Sequence, residues 1–334
     1  MKYTVSLFFF ILSVISGFSQ VFQQPPTGPG SATYAHDSVA VFDYAQKQDG
    51  YWIFEPAAPK PKEANVIVFL HGYGGYNPMI YGQWIKHLVR QGNIIIYPRY
   101  QKNITKPHPK KFSKNVVIAI QNAIAQLQKD QHISPILKDL CMVGHSYGGT
   151  IAADLSVYWK AYQIPEPKGI FLCAPGTGPF KAGKLDSYEG MSSSLNLLIF
   201  LNEKDHVVGD QLGLKIFETA IHTPNRNLLK QYRDSENNIG AGHNESYCVD
   251  LDFDSGVRNY TAKRALRISK TNAVDYYGYW KLFDALITCT RTGKDCDTAF
   301  GNTSKQRSLG LLQGNKLLEL EVKTPAERPL LSVK

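Results

Sequence analysis

The sequence predicts an α/β fold with a mostly parallel central sheet, helices on both faces of that sheet, and no large cap domain. Three observations predict it. Short apolar runs typical of buried strands alternate with amphipathic stretches typical of helices, which favours parallel strands joined by crossover helices. One serine, Ser146, lies between such a strand and such a helix with glycines on both flanks. The connection 174–194 is short and polar, which leaves no room for a large inserted cap.

The individual elements are predicted from the period of their apolar residues. Strands are expected at 38–42, 51–54, 65–70, 93–97, 140–143, 169–173, 195–201 and around 228–229. Helices are expected at 78–90, 112–127, 150–155, 211–221 and 274–290. The first two strands are joined by Gln48-Asp49-Gly50, a turn sequence that favours a hairpin. No repeat or linker interrupts the series, so we predict a single folded domain.

The N-terminal residues have the three parts of a secretory signal peptide. Met1-Lys2 supplies a positive charge, residues 5–15 form an apolar core, and small residues at Gly17 and Ser19 favour cleavage before Gln20. The apolar core is too short to span a bilayer, so we expect a secreted or periplasmic protein. The predicted division is a signal peptide over 1–19, an extended leader over 20–34, the folded domain over 35–310 and a C-terminal extension over 311–334.

The chain carries a formal net charge of +9 and has one local concentration of lysines. This cluster is either a solvated edge or a surface that attracts an anionic substrate or membrane. No nucleic-acid-binding motif accompanies it, so we expect no nucleic-acid partner, and we expect no stable membrane insertion. The oligomeric state is left open. The lysines of the cluster are Lys102, Lys106, Lys110, Lys111 and Lys114.

Five cysteines in an exported chain leave at least one without an intramolecular partner. Cys289 and Cys296 flank a polar loop that contains a glycine, so this pair is the predicted disulfide. Cys141 and Cys173 fall in predicted buried strands and are expected to behave as small apolar residues. Cys248 is the odd one out. None of the five has metal-ligand spacing, and we predict no metal site.

Two glycine-rich motifs predict acyl-transfer chemistry. Gly144-His145-Ser146-Tyr147-Gly148 stands between a strand and a helix, as a nucleophile elbow requires, and His71-Gly72-Tyr73-Gly74-Gly75 follows another buried strand. Acyl transfer needs two backbone N–H donors at the developing oxyanion, one after the nucleophile and one from such an upstream loop. Ser146 is therefore the predicted nucleophile, and Tyr73 and Tyr147 supply the predicted oxyanion hole. Taken singly, each motif is also compatible with an ordinary glycine turn.

An acid and a histidine follow the elbow in the order that completes a triad. Asp205 comes shortly after the predicted strand 195–201 and is our choice of acid, with Glu203 and Asp210 as competitors. His243 lies in a glycine-flanked loop and is the predicted base.

Other histidines fit the role of base less well. His145 lies within the elbow itself and is expected to point away from Ser146. His87, His108 and His132 are expected in surface helices or loops.

Together these residues resemble the α/β-hydrolase superfamily. The resemblance rests on the loop 71–75, the elbow around Ser146, Asp205 and His243, and it extends over residues 35–290. Within the superfamily, the two motifs look like small secreted or periplasmic carboxylesterases, including the chlorophyllase, platelet-activating-factor acetylhydrolase and polyester-hydrolase branches. The resemblance implies serine esterase chemistry in the domain over 35–310 and names no substrate.

The expected reaction is a two-step acyl transfer that needs no cofactor or metal. His243 takes the proton of Ser146, the alkoxide attacks an ester carbonyl, Asp205 holds the imidazole, and water hydrolyses the acyl-enzyme. Tyr76 is a candidate substrate-binding residue, in an aromatic wall that could equally pack against the sheet. The short connection 174–194 favours a small-molecule or polymeric ester with a short or medium acyl group. The alternatives are a peptidase or acyltransferase of the same fold and a catalytically silent binding protein.

Overall fold

The computed structural model describes residues 22–180 and 182–325. The predicted signal peptide over 1–19 lies outside the described residues, as do residues 326–334 of the predicted C-terminal extension. The strands are β1 (Ser38–Asp43), β2 (Tyr51–Ala58), β3 (Glu63–Leu70), β4 (Asn93–Pro98), β5 (Ser134–His145), β6 (Gly169–Cys173), β7 (Asn196–Asn202), β8 (Arg226–Gln231), β9 (Leu311–Leu312), β10 (Asn315–Lys316) and β11 (Glu321–Lys323). The α-helices are α1 (Gly82–Arg90), α2 (Phe112–Leu127), α3 (Tyr147–Tyr158), α4 (Gln211–Thr219), α5 (Tyr260–Ile268), α6 (Lys281–Thr292), α7 (Cys296–Phe300) and α8 (Ser304–Arg307).

Two predicted helices differ in detail from those observed. The helix expected over 78–90 begins as a 3-10 turn, Pro78–Tyr81, before α1. Asn77 caps this turn, because its side-chain oxygen accepts a hydrogen bond from the backbone N–H of Met79. The helix expected over 274–290 begins as a π-helical segment, Val274–Trp280, which runs directly into α6.

Nine strands form one sheet in the order β1-β2-β4-β3-β5-β6-β7-β8-β11. Strands β3 to β8 pair in parallel. The first two strands and β11 run antiparallel to their neighbours, and β1 and β2 form the predicted hairpin. The mostly parallel sheet confirms the predicted fold class. Among the described residues, no helix has the length and apolar character needed to cross a bilayer.

Helices cover both faces of the sheet, as the uniformly apolar strands predicted. Ile67 and Phe69 of β3 lie in one core together with side chains of α1 and α6, whereas Val66 and Val68 lie in a second core with α2 and α3. Successive side chains of a strand point to opposite faces. A strand that is apolar at every position is therefore buried on both sides.

The described part of the predicted C-terminal extension completes one edge of the sheet. Strand β11 pairs with β8, with Val322 opposite Leu229. Leu312, Leu317 and Leu320 are buried and belong to the same core as α1 and α6. Residues 311–325 are thus packed against the domain that precedes them in the chain.

Cys289 and Cys296 form the predicted disulfide, which joins the end of α6 to the start of α7. Cys141 and Cys173 lie in strands β5 and β6, as predicted, and they and Cys248 are buried free thiols. Burial raises the pKa of all three, to about 11 for Cys141. These cysteines therefore stay protonated and act as packing residues.

The expectation that His87 and His132 lie at the surface is wrong. Both are buried, and each ring contacts a carboxylate: His87 Nε2 lies 2.9 Å from Asp284, and His132 Nδ1 lies 2.8 Å from Glu55. Buried polar groups are retained in a fold when hydrogen bonds satisfy them. These partners are distant in sequence, so the pattern around each histidine did not reveal its burial.

Candidate active site

The elbow has the backbone strain that its sequence predicts. Ser146 adopts φ 55° and ψ −119° between β5 and α3, a conformation that non-glycine residues rarely occupy. The turn is held by its neighbours, because the N–H of Ser146 donates to Cys173 at 2.9 Å and its carbonyl accepts from Gly176 at 3.1 Å. A side chain at Gly148 would collide with the backbone at Leu70. The flanking glycines are thus a steric requirement of this turn.

Asp205, His243 and Ser146 form a continuous hydrogen-bonded chain. Asp205 Oδ2 lies 2.7 Å from His243 Nδ1, and His243 Nε2 lies 2.9 Å from Ser146 Oγ. With the proton on Nδ1, the ring donates to the carboxylate and accepts from the serine hydroxyl, which is the tautomer a general base needs. All three residues are buried.

The second oxygen of Asp205 is held by the backbone that follows it. Asp205 Oδ1 accepts the N–H groups of Val207 and Val208 at 2.9 and 3.0 Å. Burial alone would raise the pKa of Asp205. The hydrogen bond and charge interaction with His243, together with the two backbone N–H groups, outweigh burial and hold the pKa below its usual range. Asp205 is therefore a fixed, ionised partner of the imidazole.

The competing acids have other partners. The carboxylate of Glu203 lies 2.9 Å from Lys204 Nζ and accepts the N–H of Arg233 at 3.1 Å. Asp210 Oδ2 lies 3.4 Å from Lys230 Nζ. Of the three acids weighed from the sequence, the structure brings only Asp205 to His243.

The backbone around the predicted oxyanion donors leaves two N–H groups free. The N–H of Gly72 donates to the hydroxyl of Tyr81 at 3.0 Å, and the N–H of Gly74 donates to Gln101 Oε1 at 2.6 Å. No hydrogen bond within 22–180 and 182–325 uses the N–H of Tyr73 that stands between them. Tyr147 is the first residue of α3, so its N–H has no partner within the helix.

The side chains of Tyr73 and Tyr147 pack away from these backbone groups. The hydroxyl of Tyr73 donates to the carbonyl of Ile104 at 2.7 Å, and that of Tyr147 donates to Ala182 at 2.6 Å. Phe180 lies against both rings, with centroids 5.2 Å from Tyr73 and 6.4 Å from Tyr147. The described residues of the connection 174–194, which supplies Phe180 and Ala182, contain neither helix nor strand.

Tyr76 belongs to the interior of its loop. Its residue is 5% exposed, and the Arg99 guanidinium lies 5.2 Å from the centre of its ring. Little of the ring is left for a ligand to contact, and the substrate-binding role of Tyr76 stays a prediction.

The sequence did not reveal the role of His145. Its ring is buried between Tyr81 and His243. Nδ1 accepts from the hydroxyl of Tyr81 at 2.8 Å, and Nε2 donates to the backbone carbonyl of His243 at 2.8 Å. Burial, together with the nearby His243, lowers the pKa of His145 to about 3, so the ring is neutral. A chain of hydrogen bonds therefore runs from Gly72 through Tyr81 and His145 to the backbone of His243. No sequence signal identifies Tyr81 as part of it.

The described residues contain no group of three or more histidine, cysteine, aspartate or glutamate side chains arranged to hold a metal ion.

Comparison with known families supports the assignment of this site to ester chemistry. Residues 46–173 match the model of the chlorophyllase family, a range that runs from the β1–β2 turn to the end of β6. It includes the loop 71–75 and the elbow, whereas Asp205 and His243 lie beyond it. A search of curated proteins found no similar sequence. The match indicates a hydrolase that acts on esters, and together with the nine-stranded, mostly parallel sheet it shows the α/β-hydrolase fold.

Proposed function

We propose that this protein is a serine ester hydrolase that works through an acyl-enzyme, with Ser146 as nucleophile, His243 as base and Asp205 as the orienting acid. One observation carries the proposal: the two ring nitrogens of His243 bridge Asp205 and Ser146 at 2.7 and 2.9 Å. A base already bonded to both its orienting acid and its nucleophile is the arrangement that activates a serine hydroxyl.

In the first step, His243 Nε2 takes the proton of Ser146 as Oγ forms a bond to the ester carbonyl carbon. The carbonyl oxygen gains negative charge, which the free N–H groups of Tyr73 and Tyr147 stabilise. When the ester C–O bond breaks, the leaving oxygen receives the proton from His243. Water then attacks the acyl-enzyme with His243 again as base, which releases the acid and restores Ser146.

The substrate range follows from the connection 174–194, which lacks a cap helix among its described residues. A longer acyl chain adds binding free energy only while its methylene groups are buried, and this connection supplies no helix to cover them once the local pocket is filled. Each buried methylene contributes about 0.8 kcal/mol, so we expect kcat/KM to peak at or below about eight carbons. We also expect no activation at an oil–water interface.

The function is tested with p-nitrophenyl esters from acetyl to palmitoyl. Hydrolysis that is greatest for the shorter esters, and labelling of the protein by a fluorophosphonate, are the expected results. Peptide p-nitroanilides distinguish a peptidase, which would turn them over at rates comparable to the esters. Failure of every ester together with the absence of fluorophosphonate labelling would contradict the proposal and favour a silent binding protein.

We further propose that the chain is exported to the periplasm or the medium. The charged start, apolar core and small residues within 1–19 support this, and the Cys289–Cys296 disulfide fits an oxidising compartment. N-terminal sequencing of the protein from cell fractions tests it. The expected product is exported and begins at Gln20, whereas an uncleaved protein in the cytosol would contradict the proposal.

A further inference from the structure

A polar cavity of about 480 Å³ opens beside His243. Its wall comes from three parts of the chain: the segment after β7, the loop that carries His243, and helix α5 with the residues that follow it. Neither Ser146 nor Tyr73 lines the cavity, so it adjoins the reacting atoms on the side of the base. The charged and titratable residues of the wall are Lys204, His206, His243, Glu245, Tyr247, Arg264 and Lys270.

Two of these cations form no direct ion pair. Within 22–180 and 182–325, the side chains of Arg264 and Lys270 take part in no salt bridge and no hydrogen bond. The charge of Lys270 does act on Glu245, whereas Arg264 Nε is buried without any partner. Lys204 differs, because its Nζ lies 2.9 Å from Glu203. A buried guanidinium nitrogen normally has a hydrogen-bond acceptor. The cavity therefore holds a partly buried cation whose acceptor is not part of the described protein.

The wall contains one acid, Glu245, and three cations, Lys204, Arg264 and Lys270. Glu245 accepts the backbone N–H of Gly242 at 2.9 Å and lies largely within the protein. Burial raises the pKa of Glu245, while the N–H of Gly242 and the charge of Lys270 act in the opposite direction. The wall thus has more positive than negative side chains, and Arg264 has a buried nitrogen without an acceptor, a combination that favours an anion.

The position of the cavity indicates which part of an ester would reach it. The proton that His243 takes from Ser146 is returned to the leaving oxygen, so that oxygen lies beside the imidazole when the ester bond breaks. The loop 71–75 also approaches Ser146, because a Cβ at Gly72 would lie 3.3 Å from Ser146 Cβ, and none of its residues lines the cavity. A group attached to the leaving oxygen therefore extends past His243, towards Arg264 and Lys270.

We propose that this cavity binds an anionic group, a carboxylate in the first instance, on the alcohol portion of the ester substrate. Arg264 offers a planar fork that matches the two oxygens of a carboxylate, and Lys270 adds a second positive charge. The inference rests on the proposed ester hydrolysis and names the class of ester: one whose leaving alcohol carries a negative charge.

Two esters that differ only in charge on the alcohol side test the selectivity. They are para-acetoxybenzoate and its neutral counterpart para-acetoxybenzamide. The variant R264Q/K270Q is compared with K263Q/R267Q, which removes the same charge from two exposed positions of helix α5 outside the cavity. We expect the ratio of kcat/KM for anionic over neutral ester to fall by about tenfold in R264Q/K270Q and by less than about twofold in the control.

An equal fall in both variants would mean that the general surface charge attracts the anion, and it would overturn the proposal. Monoethyl succinate compared with diethyl succinate places the charge on the acyl side. A larger effect of R264Q/K270Q with this pair than with the benzoate pair would likewise overturn the assignment to the alcohol portion.

Calorimetric titration of the Ser146→Ala protein measures binding without turnover. Para-hydroxybenzoate is expected to bind, and para-hydroxybenzamide is expected to bind at least about tenfold more weakly. In a protein that carries R264Q/K270Q as well as Ser146→Ala, this difference in affinity should be lost. Equal binding of the two ligands would contradict the anion site. Binding of the carboxylate by a protein that hydrolyses no ester would instead support the cavity while refuting the proposed function, so the two failures are distinguishable.

Discussion

Two histidine–carboxylate pairs in this protein have nearly the same geometry at Nδ1. His243 Nδ1 lies 2.7 Å from Asp205, and His132 Nδ1 lies 2.8 Å from Glu55. All four residues are buried. The difference is at the other nitrogen: His243 Nε2 meets a serine hydroxyl, whereas His132 Nε2 meets the hydroxyl of Tyr44 at 3.2 Å and the side-chain amides of two glutamines.

The two pairs also lie at opposite ends of the parallel strands. Ser146, Asp205 and His243 follow the carboxyl ends of β5, β7 and β8, the edge at which open parallel sheets bind their ligands. His132 lies just before the start of β5, and Glu55 lies towards the end of the antiparallel β2, next to the start of β4. A buried histidine bonded to a carboxylate is therefore not by itself a sign of catalysis. Two features distinguish the proposed catalytic pair from the other: the group that contacts the second ring nitrogen, and the end of the strands at which the pair lies.

The largest effect is expected when the serine hydroxyl that His243 contacts is removed. Ser146→Ala removes the proposed nucleophile and should lower esterase activity by on the order of 10³-fold or more. Ser156→Ala is the matched control, because the hydroxyl of this buried serine of α3 donates to the carbonyl of Ala153 at 2.8 Å and has no other hydrogen bond within the described part of the chain. Fluorophosphonate labelling should be lost in the first variant and kept in the second. Labelling of Ser146→Ala would show that the nucleophile is another residue.

The next prediction exchanges one carboxylate in each pair. Asp205→Asn should lower kcat by about 10²–10³-fold, because it removes the charge that stabilises the protonated base. Glu55→Gln should leave kcat within about twofold and cost about 1.5–3 kcal/mol of unfolding free energy, the worth of a hydrogen bond to a charged group. Initial rates and urea unfolding measure the two effects.

The same comparison tests the choice of acid. Glu203→Gln and Asp210→Asn should each be mild, because neither carboxylate reaches His243. A severe loss of activity in Glu203→Gln with a mild one in Asp205→Asn would show that the acid is wrong by two residues.

A smaller effect is expected from His145, which positions His243 through its backbone carbonyl. His145→Phe leaves that carbonyl without its donor and the hydroxyl of Tyr81 without its acceptor, so kcat should fall about tenfold while KM changes little. Tyr81→Phe removes the hydrogen bonds of the Tyr81 hydroxyl to Gly72 and His145 but keeps the bond from His145 to the carbonyl of His243. Its effect on kcat should therefore be weaker than that of His145→Phe. Steady-state kinetics check this, and a change in KM alone, with kcat retained, would contradict a positioning role.

The pH dependence of stability tests two buried histidines, His71 and His145, that form no hydrogen bond to a carboxylate among the described residues. Burial lowers the pKa of His71 to about 4 and that of His145 to about 3, below the value of about 6.5 in an unfolded chain. The unfolded chain therefore binds protons first as the pH falls. Each ring should cost up to about 1.4 kcal/mol of stability per pH unit between pH 6.5 and its folded pKa, and nothing above that range.

Urea unfolding between pH 7 and pH 5 measures this slope. His145→Phe should reduce the slope, since one of the two rings that cannot accept a proton in the folded state is removed. A slope that is unchanged in His145→Phe would mean that this ring does take up a proton in the folded protein.

Local sequence patterns predicted most of the fold and located the two glycine-rich motifs of the proposed site. The elbow needs only a strand, a strained serine, a helix and glycines where a side chain would collide, and all of these lie within a few residues of one another. The sequence favoured Asp205 as the acid but left Glu203 and Asp210 as competitors. Which acid contacts His243 depends on how the chain turns after β7, where Lys204 donates its N–H to Ala241 of the histidine loop and Asp205 caps the N–H groups that follow it.

By itself, the sequence determined the alternation of strands and helices, the positions of the elbow and the upstream loop, and the Cys289–Cys296 pair. Each of these is encoded in contiguous residues, through apolar period, steric demand or short spacing. Only the tertiary structure decided which acid contacts His243, that His145 donates a hydrogen bond to the backbone carbonyl of His243, and that β11 completes the sheet. These depend on contacts between residues 38 to 98 positions apart in the chain or on pairing across the sheet, which no local pattern specifies.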